Sequence, residues 1–498
     1  MHFQQINKPI IFTCVLLCIT SISCKKLVEI SAPTDTITTG EIFSTEPQAE
    51  AAMAGVYNHM IHGADPQFTE SPGVTTFSAG LAGIAGGLSS GELYNYRGSE
   101  QQDFYALSTN KLSIYNNAPA TNIWNSAYTI IYNANSVIEG IAASNSPLLR
   151  DSVRKELTGE AKLVRAFCYF YLTNFFGDVP LALTVDFNKT AGIPKTPQPT
   201  VYRQIIQDLK DAEAVLAKDY SVAKGKRVRP NKWAAAAMLA KTYLFTGDYQ
   251  NAALKATEVI SQADLYQLEQ DLNAVFLTGS REAIWQLKQT EQSPVLKNST
   301  PEGMTMLPAV AYTSTASFCL SDALINAFEQ GDLRYVHWVD STLNILNGVS
   351  AGKTYYPAKY KTGGNNAMAG APAMEYHMVM RLAEMYLVRA EAKINGAPGG
   401  KEGAIDDLNA IRNRAGLGML AGSLSDQAVK AAVAKERQIE LFAEGGNRWF
   451  DLKRTGAAHA VLTTIPLKLP WEGDYQLLYP IPVREIQTNS SLIQNDRY

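Results

Sequence analysis

Between Lys435 and Arg454 the chain reads KERQIELFAEGGNRWFDLKR, and Glu436, Glu440 and Glu444 recur there every four residues. On a helix that spacing lines three carboxylates along one face. Left unpaired they would repel, at roughly 0.2–0.5 kcal/mol per pair. Arg437, Arg448 and Arg454 lie close enough in sequence to neutralise the stripe, with Asp451 among them, and Arg412 and Arg414 can join from an earlier helix. Such a cluster could do one of two things. It could supply acid–base catalysis, as the paired carboxylates of a glycosidase do, or it could form a desolvated ion-pair network that locks helices together. The chain contains no phosphate loop and no H-E-x-x-H helix, and no nucleophile or ligand set accompanies the charges. The network is therefore the expected role. Gly445-Gly446 should stop the first helix, and Asn447 should cap a second short one with Trp449, Phe450 and Leu452 on its apolar side.

Other stretches that could carry chemistry are thin. His59 and His62 can share a helical face, but a zinc site needs further ligands that the neighbourhood does not offer. Gly80–Gly91 is glycine-rich without the Gly-Lys-Ser/Thr ending of a phosphate-binding loop, so an irregular loop is expected. Cys168 and Cys319 are far apart in sequence and read as two buried thiols, a single disulfide being the alternative. With 46% hydrophobic residues and a formal net charge of −3, the chain reads as a soluble globular protein with no basic stripe for nucleic acid. No metal and no cofactor are expected.

The run Glu436, Arg437, Glu440, Leu441, Glu444, Gly445, Arg448, Trp449, Asp451, Leu452, Arg454 resembles the C-terminal signature of the SusD/RagB family of Bacteroidetes outer-membrane nutrient-binding lipoproteins. Arg381–Asn395 and Ala404–Leu417 resemble the motifs that precede it in that family, and Tyr479-Pro480-Ile481-Pro482 resembles its closing motif. The resemblance implies a binding protein, not an enzyme. It would capture a nutrient, foremost an oligosaccharide, and pass it to a SusC-like TonB-dependent transporter on which it forms a lid. Some relatives favour peptides, which leaves a peptide-binding member as one alternative. A periplasmic tetratricopeptide interaction scaffold and a lipid-anchored glycoside hydrolase are the others.

The elements that must hold such a site are mostly helical. Trp233–Ile260 matches a tetratricopeptide unit, with small residues at Ala236, Ala240 and Ala253 where two helices approach. About four helix pairs are expected, near 47–61/121–143, 152–176/200–217, 230–246/249–262 and 375–395/402–415. Irregular insertions with small β elements, at 62–120, 263–374 and 416–498, complete a single domain over 24–498. AIWQLK, at Ala283–Lys288, alternates like a strand.

Sugars present apolar C–H faces ringed by hydroxyls, so a binder needs exposed aromatic platforms with polar groups beside them. Two loop stretches qualify, Tyr94-Asn95-Tyr96-Arg97 and the region of Tyr312 and Phe318, with Trp338 as a further aromatic.

Residues 1–23 read as a targeting leader, with Lys8 before the apolar run Ile10–Thr20. Ser21-Ile22-Ser23-Cys24 resembles a lipoprotein cleavage box, making Cys24 the lipidated residue of a protein anchored in the outer membrane, the cell-surface face being implied by the family; an ordinary cleaved signal peptide is the alternative. Cys24→Ala should abolish fatty-acid labelling and release the protein from the membrane. One acyl chain binds a bilayer only marginally, at on the order of 10⁴ M⁻¹, so stable attachment requires the several chains of a lipoprotein. Labelling that persisted in the variant would exclude the assignment.

Overall fold

The computed structural model describes residues 42–64, 75–115, 117–309, 316–346 and 349–498. The leader, Cys24 and Tyr312 lie outside these residues. In chain order come α1 (Glu46–His62), α2 (Ala82–Ser90), β1 (Leu93–Asn95), α3 (Gln102–Thr109), α4 (Ala118–Ala143) and α5 (Asp151–Phe176). Next are α6 (Gln198–Val215), α7 (Lys232–Phe245), α8 (Tyr249–Ile260), β2 (Ala283–Leu287), β3 (Phe318–Leu320), β4 (Val339–Leu346), β5 (Val349–Pro357) and β6 (His377–Arg381). The last long elements are α9 (Leu382–Ile394), α10 (Gly400–Arg414), α11 (Asp426–Leu441) and α12 (Asn447–Arg454). Helices α1, α4, α5, α6, α7, α8, α9 and α10 pack successively, each on the next, as a tetratricopeptide-like array. The strands pair antiparallel two by two, β1 with β3, β2 with β6 and β4 with β5.

Local chemistry explains the array. Asn231 caps α7 by accepting from the amides of Trp233 and Ala234, and Asp248 caps α8 by accepting from that of Asn251. Gly247, with φ of +77°, makes the left-handed turn between them. Ala234 to Ala237 and Ala240 are buried without side-chain bulk, so the neighbouring helices approach closely. Helix α5 is apolar nearly all round in its second half and is the central helix of the core. Its Phe170 ring meets Phe245 at 4.8 Å, and its Phe175 ring meets Phe450 at 4.8 Å. Cys168 lies in this helix, and both it and Cys319 are buried free thiols.

Several expectations need correction. The helix read from 375 begins only at Leu382, because Met378 and Met380 alternate inward on strand β6. The glycine-rich stretch is no irregular loop: Ala82–Ser90 is a helix buried throughout. Its glycines permit a backbone-to-backbone contact with the turn before α12. A Cβ on Gly86 would stand 2.4 Å from the Gly446 Cα, and one on Gly83 would stand 2.8 Å from the Ala443 carbonyl oxygen. Region 416–498 holds helix from Asp426, where Ser425 accepts from the Ala428 amide. Asn447 caps nothing; Gly446, at φ +71°, takes the cap position, and the Asn447 Oδ1 accepts from the Lys241 amine at 2.8 Å.

Helix α11 stops at Leu441, before Gly445-Gly446, because Phe442 leaves the helical conformation and Ala443 turns left-handed at φ +57°. Glu436 and Glu440 on the helix and Glu444 just beyond it are the hub of a buried ion lattice. Glu440, with no exposure, accepts from Arg381 at 2.6 Å, from Arg334 at 3.0 Å and from Arg414. Glu282 accepts from Arg381 at 2.8 Å and Arg414 at 2.6 Å. Glu444 joins Arg381 at 2.8 Å and Lys359, while Glu436 joins Arg334. A second set ties α11 to α12 and α9: Arg437 to Asp451 at 2.7 Å and Arg454 to Glu391 at 2.6 Å. Burial alone would raise the Glu440 carboxyl, but Arg414, Arg381 and Arg334 outweigh it and hold it well below its usual range. Glu444 is likewise lowered, by Arg381 and Lys359 against burial. Arg412 and Arg414 take part as expected, Arg412 through Glu329 at 2.8 Å. Arg448 does not: among the described residues it makes no ion pair, although it lines the same cleft as Arg437, Asp451 and Arg454.

Replacing one member of a desolvated pair strands its partners, so Glu440→Gln should cost roughly 3–5 kcal/mol at pH 7. Glu440 and Glu444 are lowered in the fold, so the unfolded chain takes up protons first on acidification. The stabilisation they confer is complete above the unfolded carboxyl value of about 4.3 and fades as pH falls through the folded values. Thermal melts should therefore show the gap between wild type and Glu440→Gln closing below about pH 4. Equal melting temperatures at pH 7 would remove the lattice from the account of stability.

Candidate functional site

The lattice carboxylates cannot serve a substrate. Glu282, Glu436, Glu440 and Asp451 are buried and already accept from guanidinium groups. His59 and His62 are also occupied: His59 Nδ1 pairs with the Asn133 side chain at 3.1 Å, and His62 Nε2 accepts from the Thr290 amide at 3.0 Å. Among the described residues no cluster of His, Cys, Asp and Glu could hold a metal ion, and no helix is long and apolar enough to cross a membrane.

The loop candidates are held more rigidly than their sequence suggests. Gly91, at φ +79°, ends α2 and turns the chain into β1. Leu93, Tyr94 and Asn95 pair with Leu320, Cys319 and Phe318. The ladder is prolonged by the Ser321 amide donating to the Glu92 carbonyl at 2.8 Å and the Tyr96 amide donating to Ser317 at 3.0 Å. Beneath this segment the buried Lys468 amine donates to the Leu88 carbonyl at 3.0 Å, the Ser108 carbonyl at 2.9 Å and the Asn110 Oδ1. No carboxylate pairs with it among the described residues; burial pushes its pKa down to about 7. Two of its acceptors are carbonyls in the last turns of α2 and α3, where the helix dipoles favour a cation. Gln476 from the same tail donates to the Asn110 carbonyl at 2.8 Å. Both ends of the 91–110 segment are thus fastened to the C-terminal tail.

On this frame the expected ligand residues separate. Tyr96, 41% exposed, and Arg97 face solvent. Tyr94 is half-buried and packs with Ala316, Cys319, Tyr356 and Ala358. Burial pushes its phenol above the usual range. Asn95 is buried and shapes the turn: its Nδ2 donates to the Gly98 carbonyl and its Oδ1 accepts from the Arg97 amide, both at 3.2 Å. Phe318 is buried edge-on to Phe104, with ring centroids 5.0 Å apart. Trp338 offers no face to a ligand. It is fully buried, its indole N–H donates to the Leu272 carbonyl at 3.0 Å, and its ring lies 4.8 Å from the Lys359 amine. Tyr94 to Arg97 stay together by continuity, while Trp338 belongs to the lattice. Two exposed aromatics of the same insertion were not singled out from sequence: Tyr105, and Tyr115 at 84% exposure. The polar neighbours Ser113, Asn116 and Asn117 were the available signal for Tyr115.

Comparison with known proteins agrees with this architecture. A family model described as starch-binding associating with outer membrane matches residues 90–244, and the SusD family model matches residues 326–498. The chain is 27% identical over 423 residues to SusD-like protein P2 of Formosa agariphila, covering 76% of this chain and 81% of that one. It is 33% identical over 129 residues to the starch-binding protein SusD of Bacteroides thetaiotaomicron, covering 24% of this chain and 21% of that one. Among solved structures, a SusD superfamily protein from Bacteroides vulgatus superposes with a TM-score of 0.76 at 20% identity, over 92% of this chain and all of the other. A laminarin-binding SusD-like protein superposes with a TM-score of 0.72 at 24% identity, over 92% of this chain and 100% of that one. Two SusD models match separate parts of the chain, the helical array and paired strands are those of SusD structures, and residues of the C-terminal signature, Arg448 apart, help build the buried lattice; the chain belongs to the SusD/RagB family.

Proposed function

We propose that this protein is an outer-membrane lipoprotein, anchored through Cys24 and exposed at the cell surface, that captures an oligosaccharide and delivers it to a SusC-like TonB-dependent transporter. The observation that carries the reading is the match of residues 90–244 to the model described as starch-binding associating with outer membrane, which begins at the segment presenting Tyr96 and Arg97. A binding surface requires side chains that reach solvent from a backbone that does not move on contact, since ordering a loop costs affinity. The β1–β3 ladder and the Lys468 peg supply that backbone. The Tyr96 ring supplies a face for sugar C–H groups, and the Arg97 guanidinium supplies donors for hydroxyls at its edge. Tyr94 and Asn95 act beneath them, one as packing and one as the staple of the turn. The protein is a binder in this reading, so a glycan array should show retention without release of reducing ends.

Tyr96→Ala and Arg97→Ala should each weaken affinity for the retained glycan by roughly 1–3 kcal/mol, the range of an interface hot spot, while the melting temperature stays at the wild-type value. Calorimetry on the two variants checks this. Wild-type affinity in both would remove this surface from consideration, and peptides retained in place of glycans would change the ligand class. Protease accessibility on intact cells tests the surface placement.

A further inference from the structure

A cleft of about 840 Å³ opens between the α7–α8 turn, the end of α9, and helices α11 and α12. Its wall carries four cations, Lys430, Arg437, Arg448 and Arg454, and two carboxylates, Glu391 and Asp451. The carboxylates are already committed. Arg454 reaches Glu391 at 2.6 Å and Asp451 at 2.8 Å, and Arg437 holds Asp451 through its Nε at 2.7 Å. Positive charge and donor capacity are left over.

Two guanidinium groups show it. Arg437 is only 2% exposed, yet its Nη1 is buried with no acceptor among the described residues. A buried charged donor without a partner is a standing cost to the fold and is uncommon unless a ligand or water completes it. Arg448 has neither a hydrogen bond nor an ion pair among the described residues, although it belongs to the same signature as the lattice charges. The charge of Glu92 acts on it through space alone, and burial pushes that acid up to about 8. Leu244, Phe245 and Tyr249 line the same cleft, the Arg454 guanidinium lying 5.0 Å from the Phe245 ring centroid. Forked donors beside apolar surface match an anionic group carried on a compact body.

We infer that this cleft binds a small molecule bearing an oxyanion, a carboxylate foremost, with Arg448 and Arg437 as the clamp and Phe245 and Tyr249 against the body of the ligand. The site shares no residue with the Tyr94–Arg97 surface and does not rest on the glycan reading.

Calorimetry with the purified full chain tests it, with D-glucuronate as probe and D-glucose as the neutral control of the same shape. Glucuronate should bind at least tenfold more tightly than glucose, and more weakly as salt rises. Arg448→Met should weaken glucuronate at least tenfold and leave the melting temperature without ligand unchanged, since no protein partner is lost. Tyr96→Ala should bind glucuronate as wild type does. If the methionine variant fails to fold, Arg448→Lys keeps the charge and loses the fork, and it should bind at least threefold more weakly. Equal affinity for glucuronate and glucose, undiminished binding by the Arg448 variant, or loss of binding in Tyr96→Ala would each overturn the proposal.

Discussion

Glu440 has no access to solvent, and three guanidinium groups from separate parts of the chain converge on it: Arg334 before β4, Arg381 at the end of β6 and Arg414 at the end of α10. Taking a carboxylate out of water costs several kcal/mol or more, and the cost is recovered only when the geometry of its partners is nearly complete. That condition makes the arrangement selective. Strand β6 cannot shift in register, nor α10 rotate, without leaving an arginine or a carboxylate unpaired in the core. Trp338 and Phe442 close the lattice from the side, the Lys359 amine lying 4.1 Å from the Phe442 ring centroid and 4.8 Å from that of Trp338. The α11 stripe thus fixes where the irregular part of the molecule meets the helical array.

The same constraint reaches the exposed surface. Helix α12 is held to α11 through Arg437 and Asp451, and the turn that leads into α12 is pressed by Gly83 and Gly86 of α2. Helix α2 feeds directly into β1, and its last carbonyls are tied to the tail by Lys468. The position of the Tyr96 ring therefore follows from a series of close contacts, each with little slack. A Cβ at Gly86 would enter this series between α2 and α12, and overpacked contacts of that kind typically cost about 1–3 kcal/mol. The C-terminal tail is part of the frame of the candidate surface, although it lies far from it in sequence.

The array was legible because its signals are local. Alanine spacing, the Gly-Asp turn and capping Asn and Asp residues act within a few residues of one another, and α7 and α8 form where those signals stand. The ion lattice was half legible. A stripe at four-residue spacing announces that partners are needed, but Arg334, Arg381, Lys359 and Glu282 come from distant segments that no local pattern links to it. The glycine-rich segment was misread for a related reason. Glycines usually loosen a helix, and only the facing Gly446 backbone shows why α2 needs them.

Residue type is a poor guide to ligand contact when a competing partner lies inside the protein. Trp338 is the kind of side chain a sugar stacks on, yet its ring already faces Lys359, Arg381 and Arg414, with cation-to-centroid distances from 4.8 to 5.8 Å. A desolvated cation gains more from that ring than one held in water does, so burying the tryptophan helps to keep the lattice charged. Tyr96 is smaller and has no such partner among the described residues. The arginines of the signature divide on the same principle. Among the described residues Arg437 is spent on Asp451 except at Nη1, Arg454 is spent on two carboxylates, and Arg448 is spent on none. What distinguishes a structural charge from an available one is the number of its donors already satisfied, a quantity that belongs to the folded arrangement and not to the motif.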